Sequence, residues 1–309
     1  MITNYGQPLS NAIERMKKAL FRPFCFVKWV NIGFTAFLAQ LPGCTGGGGG
    51  RNSGFKVDDF DWDKFYSFPA TALDWLTSHP LWFVLIILGV IILVVFVIIM
   101  TWLNSRGKFM FLYNVVNNRD DVVKPWNEFR KQGNSLFWWQ FIYGFIVLVI
   151  FVLFIFYCFQ IFKNMHEGLI PEITKFGFIL GMIVILIGFL VVTGYISLFL
   201  TDFVVPVMYK HQFTATKAWS KFLALAIQNI GSFLIYGLFI FALKIAVAVT
   251  VIFAAVLTCC IGLLLIMIPF VGAVVLLPVS YTFRAFSIEY FAMFGDDFNL
   301  LAESRETVL

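Results

Sequence analysis

Lys244 is the only charge between Lys221 and Arg284, and Gln228 and Asn229 precede it in the same predicted apolar helix. A lysine deep in lipid marks an ion or proton site, whereas one near a helix end simply snorkels to the headgroups. If the helix leaves the inner surface near Trp219, a rise of about 1.5 Å per residue carries Lys244 about 37 Å, to the outer interface. A start nearer Ile230 would bury it and make Lys244, Gln228 and Asn229 an intramembrane polar site.

Other chemistry-bearing residues are sparse. Asp59, Asp61 and Asp63 alternate like the first ligands of a calcium loop, but Lys64 and Ala70 stand where the turn glycine and the closing glutamate would be needed. The glycine run Gly46 to Gly50 is followed by Arg51 and Asn52, not by the lysine and hydroxyl residue of a phosphate loop, and reads as a flexible tether. His79, His166 and His211 fall in predicted loops, and neither HExxH nor GxSxG occurs. Cys25, Cys44, Cys158, Cys259 and Cys260 form no CxxC pair and read as packing residues. No catalytic residue, metal or cofactor is expected, and the protein reads as a non-enzyme. Met1 to Leu20 is polar and basic, unlike a signal peptide, so the chain is expected to begin at Met1.

The elements that hold these residues are membrane spans. The composition is 61% hydrophobic and 13% charged, with 39 phenylalanines, and mean hydropathy is +0.89. Such a chain cannot hide its apolar surface in one water-soluble core, and so heavy a phenylalanine load disfavours an open aqueous pore. Leu81 to Met100 contains no charge and is framed by Trp82 and Trp102, suiting the roughly 30 Å of a bilayer core. Six spans are predicted: Phe24–Leu41, Leu81–Leu103, Phe137–Ile161, Phe176–Leu200, Phe222–Val247 and Cys259–Phe283. The fold class is all-α, a polytopic transmembrane helical bundle.

Flanking charges set the threading. Arg15, Lys17, Lys18, Arg22, Lys28, Arg106, Lys108, Arg119, Lys124, Arg130, Lys131, Lys210, Lys217, Lys221, Arg284 and Arg305 fall on one side, against Arg51, Lys56, Lys64, Lys163 and Lys175 on the other. The positive-inside rule then places both termini in the cytoplasm. The expected divisions are an N-terminal interfacial amphipathic helix (1–23), an outer Gly-rich and aromatic segment (42–80), cytoplasmic elbows (104–136 and 201–221) and a cytoplasmic tail (284–309). Trp126, Trp138, Trp139 and Trp219 are the expected interfacial anchors. Gly177 and Gly181 form a small-xxx-small face suited to helix packing.

Lys124, Trp126, Phe129, Ile142, Tyr143 and Gly144 match Lys217, Trp219, Phe222, Ile235, Tyr236 and Gly237 at one offset, 93 residues. Both copies end an inner loop and enter a span, which predicts a parallel internal repeat of span, elbow and span. The last span with the N-terminal helix and first span would make a third copy, split by the termini.

The segments Tyr5-Gly6-Gln7-Pro8-Leu9, Leu20-Phe21-Arg22-Pro23-Phe24, Gly133-Asn134-Ser135-Leu136-Phe137, Leu277-Pro278 and Phe283-Arg284-Ala285-Phe286 resemble an uncharacterised family of bacterial six-helix membrane proteins. The resemblance implies a helical fold in the bacterial inner membrane and brings no catalytic residues. More distantly, Phe203 to Trp219 looks like the inner elbow in the membrane domain of some glycerophosphodiester phosphodiesterases, whose activity is not carried over. The expected role is a membrane-organising or self-assembling scaffold whose partners are membrane lipids, copies of itself or other membrane proteins, not nucleic acid. The alternative is a transporter or lipid-handling permease with a cavity near Lys244.

Overall fold

The computed structural model describes residues 5–41, 62–258, 266 and 268–301, and all regular structure among them is helical. In chain order the helices are α1 (Gly6–Phe21), α2 (Phe26–Gln40), α3 (Trp62–Ser78), α4 (Pro80–Asn117), α5 (Val123–Glu128), α6 (Arg130–His166) and α7 (Glu172–Phe199). A π-helical turn (Leu200–Val204) links α7 to α8 (Val205–His211), followed by α9 (Ala215–Gln228), α10 (Ile230–Leu257), α11 (Pro269–Val275) and α12 (Leu277–Ala292). The glycine run and the aspartates 58, 59 and 61 lie outside the described residues, as do Cys44, Cys259 and Cys260.

Four helical stretches are long and apolar enough to cross a membrane: Pro80–Asn117, Arg130–His166, Ile173–His211 and Ile230–Ala254. α11 and α12, bent by 64° at their junction, make a fifth if taken as one broken span. The protein is therefore a multi-pass helical membrane protein. α2 has 15 residues, about 22 Å of helix, which falls short of the roughly 30 Å expected of the span Phe24–Leu41.

The chain divides into two compact units. One comprises residues 42–100 and 141–194; the other comprises 1–41, 101–140 and 195–309. The first holds α3 and the apolar stretches of α4, α6 and α7, whose side chains are mostly exposed, as lipid-facing residues are. Gly177, Gly181 and Gly188 on α7 face open space, with nothing within 4 Å of where a side chain would begin.

The second unit has a closed core. The helices do not stop where hydropathy falls: α4 runs on through Arg106 and Lys108 to Asn117, so the elbow expected from residue 104 is still helix. α2 lies along this extension. Lys28 donates to Asn118 Oδ1 (3.1 Å) at one end, and the Asn104 amide donates to the Ala39 and Leu41 carbonyls (2.8 and 2.9 Å) at the other. Those carbonyls are among the orphans every helix C-terminus leaves, so Asn104 serves as a cap supplied from another helix. Gly107 permits the approach, because a side chain there would begin 2.5 Å from the Leu38 backbone. α1 packs along α12, and α2 against α11 and α12.

The two elbows are built alike. α4 ends at Asn118 with φ 53° and α8 ends at Gln212 with φ 54°, both left-handed. Phe109 then stacks on Phe129 (centroids 5.9 Å, 6° between planes), and Phe203 stacks on Phe222 (5.3 Å, 8°). Phe203 is fully buried and also meets Phe233, Tyr236 and Phe291 at 5.0, 4.9 and 5.2 Å.

α12 continues to Ala292, so Arg284 is helical and buried, not the start of a tail. Residues 295–301 are pinned by the end of α8 and by α9. Lys210 donates to the carbonyls of Asp296 and Asn299, and Lys221 reaches both His211 Nε2 and Asp297 Oδ2 at 3.0 Å. The Lys221 ammonium holds the Asp297 carboxyl below its ordinary range, first through the hydrogen bond and then through its charge. A depressed carboxylate contributes its contact above the unfolded value and loses it as pH falls through the folded one. Hydrogen-exchange protection of 296–301, corrected for intrinsic rates, should therefore drop at acid pH, and Lys221→Met should remove that dependence. Identical pH profiles in both proteins would refute the assignment.

Candidate anion-binding centre

The centre starts from one proline. In the π-helical turn the backbone N–H bonds five residues back, as Val205 N–H does to the Leu200 carbonyl. Pro206 has no N–H to offer, so the Thr201 carbonyl lacks the donor this register would give it. The Arg284 guanidinium fills the gap from α12, its Nη1 donating to Thr201 O. The same widened turn presents Asp202, which accepts a hydrogen bond from the Tyr236 hydroxyl of α10 at 2.9 Å.

Lys108 of α4 and Arg284 of α12 approach Asp202 closely enough for the three charges to act on one another, and the charge of Lys244 also reaches Asp202. Lys108 and Arg284 are 6% and 5% exposed, Tyr236 is fully buried, and Asp202 is half-buried. Cations therefore outnumber carboxylates in this centre. Arg284 Nε and Nη2 are buried and find no acceptor among the described residues. A guanidinium with most of its planar fork unused fits a carboxylate or phosphate oxygen pair, which a lysine alone could not hold in two-point fashion.

Arg106 sits in a second polar layer, between the rings of Trp102 and Trp126 at 4.5 and 4.7 Å, with Nη2 donating to Asn134 Oδ1 (3.1 Å). Ser105 donates to Gln140 Oε1 at 2.6 Å, and Asn114 to Thr35 at 3.4 Å. Arg106, Lys108 and Arg284, expected in a cytoplasmic elbow and tail, are thus interior residues.

The residues singled out from sequence are not all together. Gln228 ends α9 and is exposed, while Asn229 forms the break before α10 and donates to the Leu225 carbonyl (3.3 Å). Because α10 begins at Ile230 and not near Trp219, Lys244 stands about 21 Å along it, well removed from Gln228 and Asn229. Of that set only Lys244, exposed on α10, has a charge that reaches Asp202. Among the expected anchors, Trp126 packs on Arg106, Trp139 stacks on Trp219 at 5.2 Å, and Trp138 is 60% exposed.

Asp202 itself escaped the sequence reading, although it is the only acidic residue between Glu172 and Glu289 and lies four residues before a proline. A lone carboxylate beside a helix breaker in a long apolar stretch is the signal that could have found it. Among the described residues no cluster of His, Cys, Asp and Glu could hold a metal ion.

The profile of the Family of unknown function (DUF7544) matches residues 6–295. No curated protein and no solved structure matches the chain.

Proposed function

This chain belongs to that family of unknown function, and from that premise we propose that it is a lipid-handling permease, a non-enzymatic membrane protein that holds an anionic ligand at the Lys108–Asp202–Arg284 centre. The observation that carries the reading is the buried, mostly unpaired guanidinium of Arg284 beside a second buried cation and a single carboxylate. Burying charge without full pairing is costly, so an excess of interior cations is reasonably explained by an anion that completes the set.

The finer threading belongs to this proposal. Six crossings with both termini inside are supported by the excess of lysine and arginine on one side of the threading. The bacterial inner membrane suits the lysines and arginines outside the core, from Arg15 to Lys28 and from Arg119 to Lys131. The paired left-handed residues and stacked phenylalanines support the parallel repeat, and the packing of α1 and α2 on α12 and α11 supports a third copy split by the termini.

A scaffold that self-assembles is the second reading, favoured by the open face of Gly177, Gly181 and Gly188, a surface on which another helix could pack closely. Native mass spectrometry from lipid-preserving particles separates the two. We expect a stoichiometric anionic lipid or solute on the protein, held more weakly in Arg284→Lys and lost in Arg284→Gln. A discrete homo-oligomer carrying no bound mass would overturn the permease and restore the scaffold.

A further inference from the structure

Beside the charged centre runs a groove with a volume of about 290 Å³. It is bounded by Leu9, Ile13 and Met16 of α1, Leu243 and Val247 of α10, and α12 from Pro278 to Phe286. On α12 the lining positions Val279, Thr282, Phe283 and Phe286 follow helical spacing and form one continuous stripe. The one hydroxyl among the lining residues, on Thr282, is spent on the Pro278 carbonyl at 2.7 Å. The groove thus offers no hydrogen bond to an occupant. A peptide segment would bring backbone N–H and C=O groups that nothing there could satisfy, whereas a hydrocarbon chain brings none.

Groove and centre share two helices. Leu243 lines the groove and the exposed Lys244 follows it; Phe283 lines the groove and Arg284 follows it. Phe286 forms part of the wall between them, stacking on Tyr236 at 5.7 Å and 3°, and Tyr236 in turn bonds Asp202. An apolar slot flanked by an exposed lysine and by a guanidinium whose Nε and Nη2 lack an acceptor among the described residues is complementary to a molecule with a hydrocarbon tail and a negative head.

From this juxtaposition we infer that the groove between α1, α10 and α12 holds one acyl chain of an anionic phospholipid whose headgroup is met on the Lys244 and Arg284 side. The inference rests on the anion-site reading, since the headgroup is the anion, and it adds that the ligand comes from the bilayer and is gripped by its tail. α1 becomes one wall of the site and not only an interfacial anchor.

The test uses the full chain in nanodiscs of phosphatidylglycerol and phosphatidylcholine, with a diazirine on the acyl chain of either lipid in turn. With labelled phosphatidylglycerol, cross-links should concentrate at Leu9–Met16, Leu243–Val247 and Val279–Phe286; with labelled phosphatidylcholine they should spread over the lipid-facing surface. Filling the groove by Val247→Phe with Val279→Phe, or separately by Met16→Phe, should abolish the concentration and the co-purified lipid. Cross-links that stay diffuse, together with unchanged bound lipid in both filled variants, would overturn the groove. If Arg284→Gln still strips the bound anion in that case, the anion centre survives without it; if Arg284→Gln also changes nothing, both fail. Equal labelling by the two lipids would overturn the anionic selectivity.

Discussion

Phe203→Ala is expected to lower stability by about 3–5 kcal/mol, the range for removing a fully buried aromatic ring from a packed core. The ring has no exposed surface and lies at the centre of an aromatic cluster formed by Phe222, Phe233, Tyr236 and Phe291. These partners come from three different helices, α9, α10 and α12, so no single rotamer change can fill the space. Phe203 also sits in the π-helical turn next to Asp202, and its loss should loosen the turn that presents the carboxylate. Thermal unfolding in matched nanodiscs is the measurement, with Ile183→Ala as the reference. Ile183 is 48% exposed on α7 and exchanges one lipid contact for another. A Phe203→Ala loss no larger than that of Ile183→Ala would mean the second unit is not held by its aromatic core.

Why this core was partly legible follows from what hydropathy measures. Leu81 to Met100 announces itself because a lipid-facing helix must be apolar all round, and that stretch of α4 is exposed along its length. By hydropathy Arg106 and Lys108 fall in a cytoplasmic elbow that begins at residue 104. A helix does not need apolar residues to continue, however, and with its polar groups turned into protein the chain runs unbroken to Asn117. The opposite error affects Phe24–Leu41, where apolar character comes from packing against α11 and α12 and the helix is short of a bilayer. Burial in protein and burial in lipid leave the same mark on a single sequence.

The spacing of aromatic residues carried more than their number did. Phe129 and Phe222 were paired at a fixed offset from sequence, and in the structure each stacks on a phenylalanine of the preceding long helix. Phe109 and Phe203, the partners, were not paired, because they stand one residue off the same offset. The slip lies in the loop that follows: Asn118 and Gln212 also stand one residue off the offset, so the stretch from Gln212 to Phe222 is one residue shorter than that from Asn118 to Phe129. The π-helical turn, for its part, presents Asp202 to the charged centre. That is a reason to read the centre as functional, since π-turns carry a cost and recur at sites of function.

Asp202→Asn should destabilise the protein while strengthening its hold on an anion. The asparagine keeps the shape of the aspartate and can still accept the Tyr236 hydroxyl, so the chief change is loss of the negative charge opposite Lys108 and Arg284. Removing one partner of a buried ionic set typically costs about 3–5 kcal/mol, and the half-exposure of Asp202 puts the expectation at the lower end, about 3 kcal/mol. Adding Lys108→Met removes one of the stranded cations and should return part of that loss, so the double variant will be more stable than the sum of the two singles predicts. The anion supplies the independent readout. With the competing carboxylate gone, phosphatidylglycerol should bind Asp202→Asn more tightly than wild type and raise its midpoint of unfolding further, because a ligand that binds only the folded state stabilises it by mass action. Additive losses would show that Asp202 and Lys108 do not share a charged centre. Weaker phosphatidylglycerol binding in a folded Asp202→Asn protein would show that the carboxylate orients a ligand and does not repel one.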